Sequence, residues 1–288
     1  MPGTGSPPGT AAPRAPLDRL SLNQITTRAW SLAEAVDGCT RAGISAIGLW
    51  RDKVADVGLD AAAALVRDAG LRVSSVCRGG FFVVGDADER ARRRADNRRA
   101  VDETAALGAD ALVLVCGGQG DHSLTSARDM VAEGIGDLAP YAASRGVRLA
   151  IEPLHPMYCA DRSVIVTLGQ ALDIAEAFPP EQVGVVVDTF HVWWDPQVTA
   201  QIARAAGRIA SFQVCDWLVP LPDVLLGRGL MGDGPIEFAE LVDAVDAAGY
   251  DGPIEVEIFN RAIWDTPADE VVAAVKERFA RHVLGRHG

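Results

Sequence analysis

The chain has 288 residues, 49% of them hydrophobic, enough for a substantial core. Its formal net charge of -12 denies it the broad positive field that holds a phosphate backbone, which argues against nucleic acid as a partner. No segment offers the roughly 18 uninterrupted apolar residues that span a bilayer. The five scattered cysteines form no CxxC pair, so neither a disulfide framework nor a zinc knot is expected, and a soluble, cytoplasmic protein is.

In chain order, MPGTGSPPGTAAPRAP is rich in Pro, Gly, Ser and Thr and lacks the apolar core of a secretory signal, so 1–17 reads as a disordered tail ahead of a domain over 18–288. From LSLN onward one phrase recurs: an amphipathic helical stretch, a glycine, then a short apolar or β-branched run. It appears in AGISAIGLW, AGLRVSSVC, LGADALVLVC, RGVRLAIEP, AGRIASFQVC and AGYDGPIEVEIF. Each glycine sits where a helix turns through a left-handed residue before the next strand. With LSLN and VGVVVD the count is eight strands, each followed by room for a helix, which predicts an α/β fold with a single (β/α)8 TIM barrel. A doubly wound open sheet is the alternative, but no GxGxxG follows the first strand.

On a barrel, chemistry sits at the C-terminal ends of the strands. Those ends read Asn23 and Gln24, Trp50 and Arg51, Cys77 with Arg78 and Phe81, then Cys116. The later four carry Glu152 followed by His155, Asp188 followed by His191, Gln213 and Asp216, and finally Glu255 and Glu257. The last two share a face of their strand, and Glu257 lies nearer the mouth. Buried carboxylates need a cation, a donor or a proton. Glu152, Asp188 and Glu257 converging with an amide oxygen of Gln213 would make a hard, oxygen-rich site suited to Mn²⁺ or Mg²⁺. A single such acid is more often a helix cap or a loop ion pair; four adjacent strands ending this way are harder to explain so.

Trp50, Trp193, Trp194, Trp217 and Trp264 all follow predicted strands on the same rim, where indoles wall a sugar pocket or seal the barrel top. The long stretch WLVPLPDVLLGRGLMGDGPIEF has the length and glycines of a lid. Arg228 within it either reaches a substrate oxygen or pairs with Asp233. The basic run RARRRADNRR reads as the solvated outer face of a helix.

The segments GVRLAIEPLHP, VVVDTFHVWWDP, IASFQVCDW, GRGLMGDGPIEF and GYDGPIEVEIF, in this order, resemble the sugar isomerase/epimerase superfamily of xylose-isomerase-like TIM barrels, with ketose 3-epimerase and inosose isomerase/dehydratase relatives. The resemblance runs from Leu20 to about Leu284. It implies one divalent ion held by Glu152, Asp188, Gln213 and Glu257, manganese first with magnesium or cobalt as alternatives. It makes His191 a substrate contact and gives Arg228 the place of the arginine before the GxG turn. Gln213 departs from the histidine that many members carry there, a weaker neutral ligand. The three-zinc endonuclease branch needs more histidines than the five present.

The resulting expectation is a metal-dependent isomerase or epimerase acting on a small sugar or keto-cyclitol, with proton abstraction beside a carbonyl through a metal-stabilised enediolate. Glu152 and Glu257 are the catalytic pair, and His155, His191, Arg228, Trp50, Trp193 and Trp217 the substrate contacts. The same first step would serve a lyase or dehydratase on a keto sugar, with His155 or His191 as acid. A non-catalytic sugar-binding barrel is the reading from another class. Substrate identity and oligomeric state, including a homo-oligomer, stay open in the sequence.

Overall fold

The computed structural model describes residues 17–285, so the tail expected over 1–17 lies outside them but for Leu17. Ten strands follow in chain order: β1 (Leu20–Asn23), β2 (Ala46–Trp50), β3 (Arg72–Gly80), β4 (Leu112–Val115), β5 (Leu149–Glu152), β6 (Val183–Asp188), β7 (Ile209–Val214), β8 (Asp216–Trp217), β9 (Arg228–Gly229) and β10 (Ile254–Val256). Eight of them close a barrel in the order β1-β10-β7-β6-β5-β4-β3-β2, while β8 and β9 pair as a separate antiparallel ribbon. The protein is a (β/α)8 TIM barrel. Each barrel pairing is parallel, as crossovers through an outer helix require. The six glycines of the repeated phrase all take φ between +62° and +85°, with nothing within 4 Å of a built Cβ, so it is backbone conformation and not space that selects glycine there.

The two-residue period of the strands decides which atoms fill the barrel. In β6, Val183, Val185 and Val187 face the helices within the main apolar core, which turns Val186 and Asp188 inward. In β10, Ile254 and Val256 join that same outer layer, which turns Glu255 and then Glu257 inward. The apolar residues of the barrel interior are small: Cys77, Ala111, Val113, Ala150, Val186 and Ala210 form their own cluster. Their small volume leaves room for polar side chains above them. The basic run lies on the helix Ala87–Ala106, where Arg92 and Arg93 pair with Glu89, Arg99 with Asp96 and Arg94 with Asp137, as a solvated outer face should.

Glu255 sits beneath the mouth, 1% exposed, and it is held from four sides. Ser74 Oγ donates to it at 2.5 Å, Ser75 Oγ at 2.9 Å, Asn23 Nδ2 at 2.6 Å and Gln213 Nε2 at 3.2 Å. Space for this carboxylate comes from Gly48 on β2, where a Cβ would lie 2.5 Å from Glu255 Oε1. Gly48→Ala is therefore expected to destabilise the barrel by about 1–3 kcal/mol through overpacking. A urea unfolding midpoint equal to that of the unchanged chain would contradict this.

Candidate active site

Glu152 ends β5, Asp188 ends β6, Gln213 lies one residue short of the end of β7, and Glu257 follows β10. Asp188 is the register partner of Gln213, and Gln213 that of Glu255, which sets Glu257 two residues further along its strand direction, toward the mouth. All four proposed ligands are buried, with Glu152 at 6%, Asp188 at 1%, Gln213 at 0% and Glu257 at 4% exposure.

Charge compensation comes from Arg228, itself 4% exposed. Its Nη1 donates to Asp188 Oδ2 at 3.1 Å and to Glu257 Oε2 at 2.9 Å. The guanidinium lies between the rings of Phe190 and Phe259, 4.7 and 4.9 Å from their centroids, which excludes water and strengthens both pairs. The ribbon β8–β9 aims it there, and Asp216 fixes the ribbon by accepting from the backbone N–H groups of Gly232, Gly234 and Ile236. The alternative pairing with Asp233 does not form; that acid meets Arg278 at 3.2 Å. Asp216 thus acts as an anchor for backbone.

Glu152 has no hydrogen-bond or ion-pair partner among the described residues. Burial, then the charges of Glu257 and Asp188, hold its carboxyl well above the usual carboxylate range. The same burial, against the pull of Arg228, pushes Glu257 up to about 7 and raises Asp188. A second orphan lies nearby: Gln213 donates through Nε2 to Glu255, while its Oε1 is buried without a partner. One unpaired carboxylate and one unpaired amide oxygen beside two further acids are the donor set a hard divalent cation takes. The residues present fit such an ion.

His191 lies in the same cluster: one ligand atom each from Glu152, Asp188 and His191 fall within 4.8 Å of one another. The backbone N–H of His155 donates to His191 Nδ1 at 3.1 Å. Burial and the nearby Arg228 hold the ring's pKa well below its ordinary value, so it is neutral. Its Nε2 lies 3.1 Å from Arg228 Nη2, a guanidinium nitrogen that can only donate, so both ring nitrogens face N–H donors. Nε2 also lies 3.6 Å from Asp188 Oδ2. His155 is also kept neutral by burial, so neither ring is an imidazolium acid at neutral pH.

Trp50, Glu152, His191, Arg228 and Glu257 line one cavity. Trp193, Trp217 and His155 do not; they pack together beside it, with Trp217 stacked on Phe190 at 4.7 Å and His155 at 4.8 Å from Trp217. Trp50 is oriented by Asn23, whose Oδ1 accepts from its indole at 2.8 Å while Nδ2 reaches Glu257 Oε1 at 3.1 Å. The tip of the β8–β9 hairpin covers the mouth: the Tyr158 hydroxyl donates to the Val224 carbonyl, and Leu225 enters the lining. About 50 Å³ remains beneath it, well short of the roughly 300 Å³ at which small-molecule pockets begin. A small molecule of ordinary size would fit there only with this tip lifted. Tyr158, Arg162 and Phe259 escaped the sequence reading, since each lies beyond its strand end in a loop or short helical turn with no periodic signal.

The model of the xylose isomerase-like TIM barrel family matches residues 36–280. An L-ribulose 3-epimerase of Mesorhizobium japonicum is 26% identical over 246 residues, 81% of this chain and 77% of its own. A 3-dehydroshikimate dehydratase of Pseudomonas aeruginosa is 31% identical over 161 residues, 54% of this chain; the match spans 24% of that longer protein. A solved structure from Sinorhizobium meliloti is 51% identical with a TM-score of 0.90, covering 92% of this chain and 98% of that one. The IOLI protein, solved with a zinc atom, shares the fold at 18% identity and a TM-score of 0.80, over 94% of this chain and 99% of its own.

The raised carboxyls set a pH dependence. A carboxyl whose folded pKa exceeds its unfolded value stabilises the fold below the unfolded value, and that contribution is lost as pH rises through the folded one. Between about pH 7 and 8, above the histidine range and below the cysteine range, protein stripped of divalent ions should unfold progressively more easily. A melting temperature that is flat or rising over that interval would contradict the assignment.

Proposed function

This chain belongs to the xylose isomerase-like TIM barrel family, and from that premise we propose that it is a metal-dependent isomerase or epimerase of a small sugar or keto-cyclitol, acting by proton transfer at a carbon beside a carbonyl. The observation that carries the reading is Glu152, a buried carboxylate facing the cavity with no protein partner. A divalent ion, manganese first and magnesium or cobalt next, would be held by Glu152, Asp188, Gln213 and Glu257 and would supply polarisation of the substrate carbonyl.

The chain's own residues would do the rest. A carboxyl near pH 7 in its titration, such as Glu257, can both take and return a proton at neutral pH. Glu152 on β5 and Glu257 after β10 approach from well-separated strands, so one removes the proton and the other delivers it to the opposite face. His191, which lines the cavity, would contact the substrate. Arg228 holds Asp188 and Glu257 in place and opposes the effect of burial on both carboxyls. Trp50 and Phe259, 5.7 Å apart edge to face, wall the cavity against water.

Elimination of a β-leaving group shares the first step, and the similarity to a 3-dehydroshikimate dehydratase favours keeping that second reading. The sugar-binding alternative without catalysis fits less well, because binding alone gives no reason to bury an unpaired carboxylate at energetic cost.

Incubation with a panel of keto sugars in D₂O tests the reading. We expect deuterium incorporation at the carbon beside the carbonyl, with loss of water marking the lyase. Glu152→Gln and Glu257→Gln should each lower the rate by about 10²–10⁴-fold. Undiminished exchange in both variants would refute the roles given to them. Metal analysis should find a stoichiometric divalent ion, depleted in Glu257→Gln.

A further inference from the structure

Two arginines share the cavity with the acids and are not used by that mechanism. Arg78, on β3, and Arg162, in the turn after β5, both line it and both are partly exposed at its mouth. Among the described residues neither guanidinium donates a hydrogen bond or joins an ion pair. Each rests only on ring faces: Arg78 lies 4.9 Å from the Phe81 centroid and 5.8 Å from that of Trp50, and Arg162 lies 5.6 Å from that of Tyr158.

In a chain with 39 acids against 27 basic residues, partners are plentiful. Arg51 meets Asp96 and Glu103, Arg204 meets Asp173 and Glu176, and Arg128 and Arg208, which have no acid, donate to backbone carbonyls. Exposed arginines such as Arg98 also rest on a ring, so an unpaired guanidinium alone means little. What distinguishes this pair is its place. Both line the cavity itself, from β3 and from the turn after β5, and their charges act on its polar groups, Arg78 on Glu152 and Arg162 on His191 and Tyr158. Ten N–H donors, five on each planar fork, are aimed at space that substrate must cross or fill.

We propose that the substrate is an anion, a keto compound bearing a carboxylate or a phosphate ester, which Arg78 and Arg162 grip at the mouth while its carbonyl end reaches the carboxylates below. This rests on the reading of the cavity as the active site. It narrows the substrate class from neutral sugars to acidic ones, because a neutral polyol would leave both guanidinium forks without a directly bonded anion when the hairpin tip closes and water leaves.

The test is isothermal titration with three ligands on one carbon skeleton: D-fructose, D-fructuronate and D-fructose 6-phosphate. The protein is the full chain loaded with manganese, alongside Arg78→Met, Arg162→Met and the double variant, each checked for native thermal unfolding. At least one anion should bind about tenfold more tightly than fructose, and whichever anion shows the larger ratio identifies the group gripped. In the double variant that ratio should collapse toward one while fructose affinity stays within about twofold. Equal binding of all three, an anion preference that survives the double substitution, or no measurable binding of either anion would overturn the proposal. Loss of D₂O exchange with the anion preference intact would instead strike the proton-transfer reading.

Discussion

Three carboxylates taken out of water at one end of the barrel are the constraint on which the rest depends. Two charges about 4 Å apart interact by roughly 4 kcal/mol where the effective dielectric constant is near 20, so like charges here cannot simply coexist. Arg228 settles two of the three, and removing one partner from such a buried pair costs about 3–5 kcal/mol. Its setting follows from that need: rings above and below to keep water out, and a ribbon pinned by Asp216 to hold the backbone. Glu152 is left over, and its raised pKa is the electrostatic measure of that imbalance. A proton answers it at low pH, and a cation would do so at higher pH.

Gln213 takes its meaning from the acid below it. A carboxylate only accepts, so Glu255 draws the amide nitrogen of Gln213 toward itself and leaves the oxygen facing away. An amide free to flip would offer a ligand half the time and a repelling N–H₂ the other half. Glu255 also shares Asn23 with Glu257, and through Asn23 the orientation of Trp50. One buried acid thereby orders several groups at the mouth, at the expense of a glycine at position 48 and of serines at 74 and 75.

The barrel was legible because its signals are local. Alternation within VGVVVD and PIEVEIF gives the inward face, and a glycine before six of the eight barrel strands marks where helices end. The positions of Asp188, Glu152 and Glu257 at strand ends follow from the same pattern. What joins those groups is not local. Arg228 meets Asp188 from 40 residues away, and nothing in GRGLMGDGPIEF tells Asp188 from Asp233 as its partner. The tryptophans were ambiguous for a related reason: an indole near a rim either walls a pocket or packs beneath one, and only the loop path puts Trp50 in the first class and Trp193 and Trp217 in the second. The setting of His191 depends on a backbone N–H from His155 and a guanidinium nitrogen of Arg228, contacts between segments far apart in the chain that no spacing encodes.

The hairpin separates two tasks that would otherwise conflict. Its base carries Arg228, and its tip covers the cavity. The base is tied by the rungs of β8 and β9, by a further bond from the Leu218 N–H to the Gly227 carbonyl, and by Asn260, whose amide donates to the Arg228 carbonyl at 2.8 Å. The tip beyond Leu218 is held over the mouth by far less, with Tyr158 reaching Val224 and with Val219 and Val224 exposed to solvent. Opening at the tip breaks a neutral hydrogen bond worth about 1 kcal/mol, whereas opening at the base would strip a guanidinium from two buried carboxylates. Opening at the tip, between Leu218 and Gly227, would therefore cost less than opening at the base and would leave the charges beneath it in place.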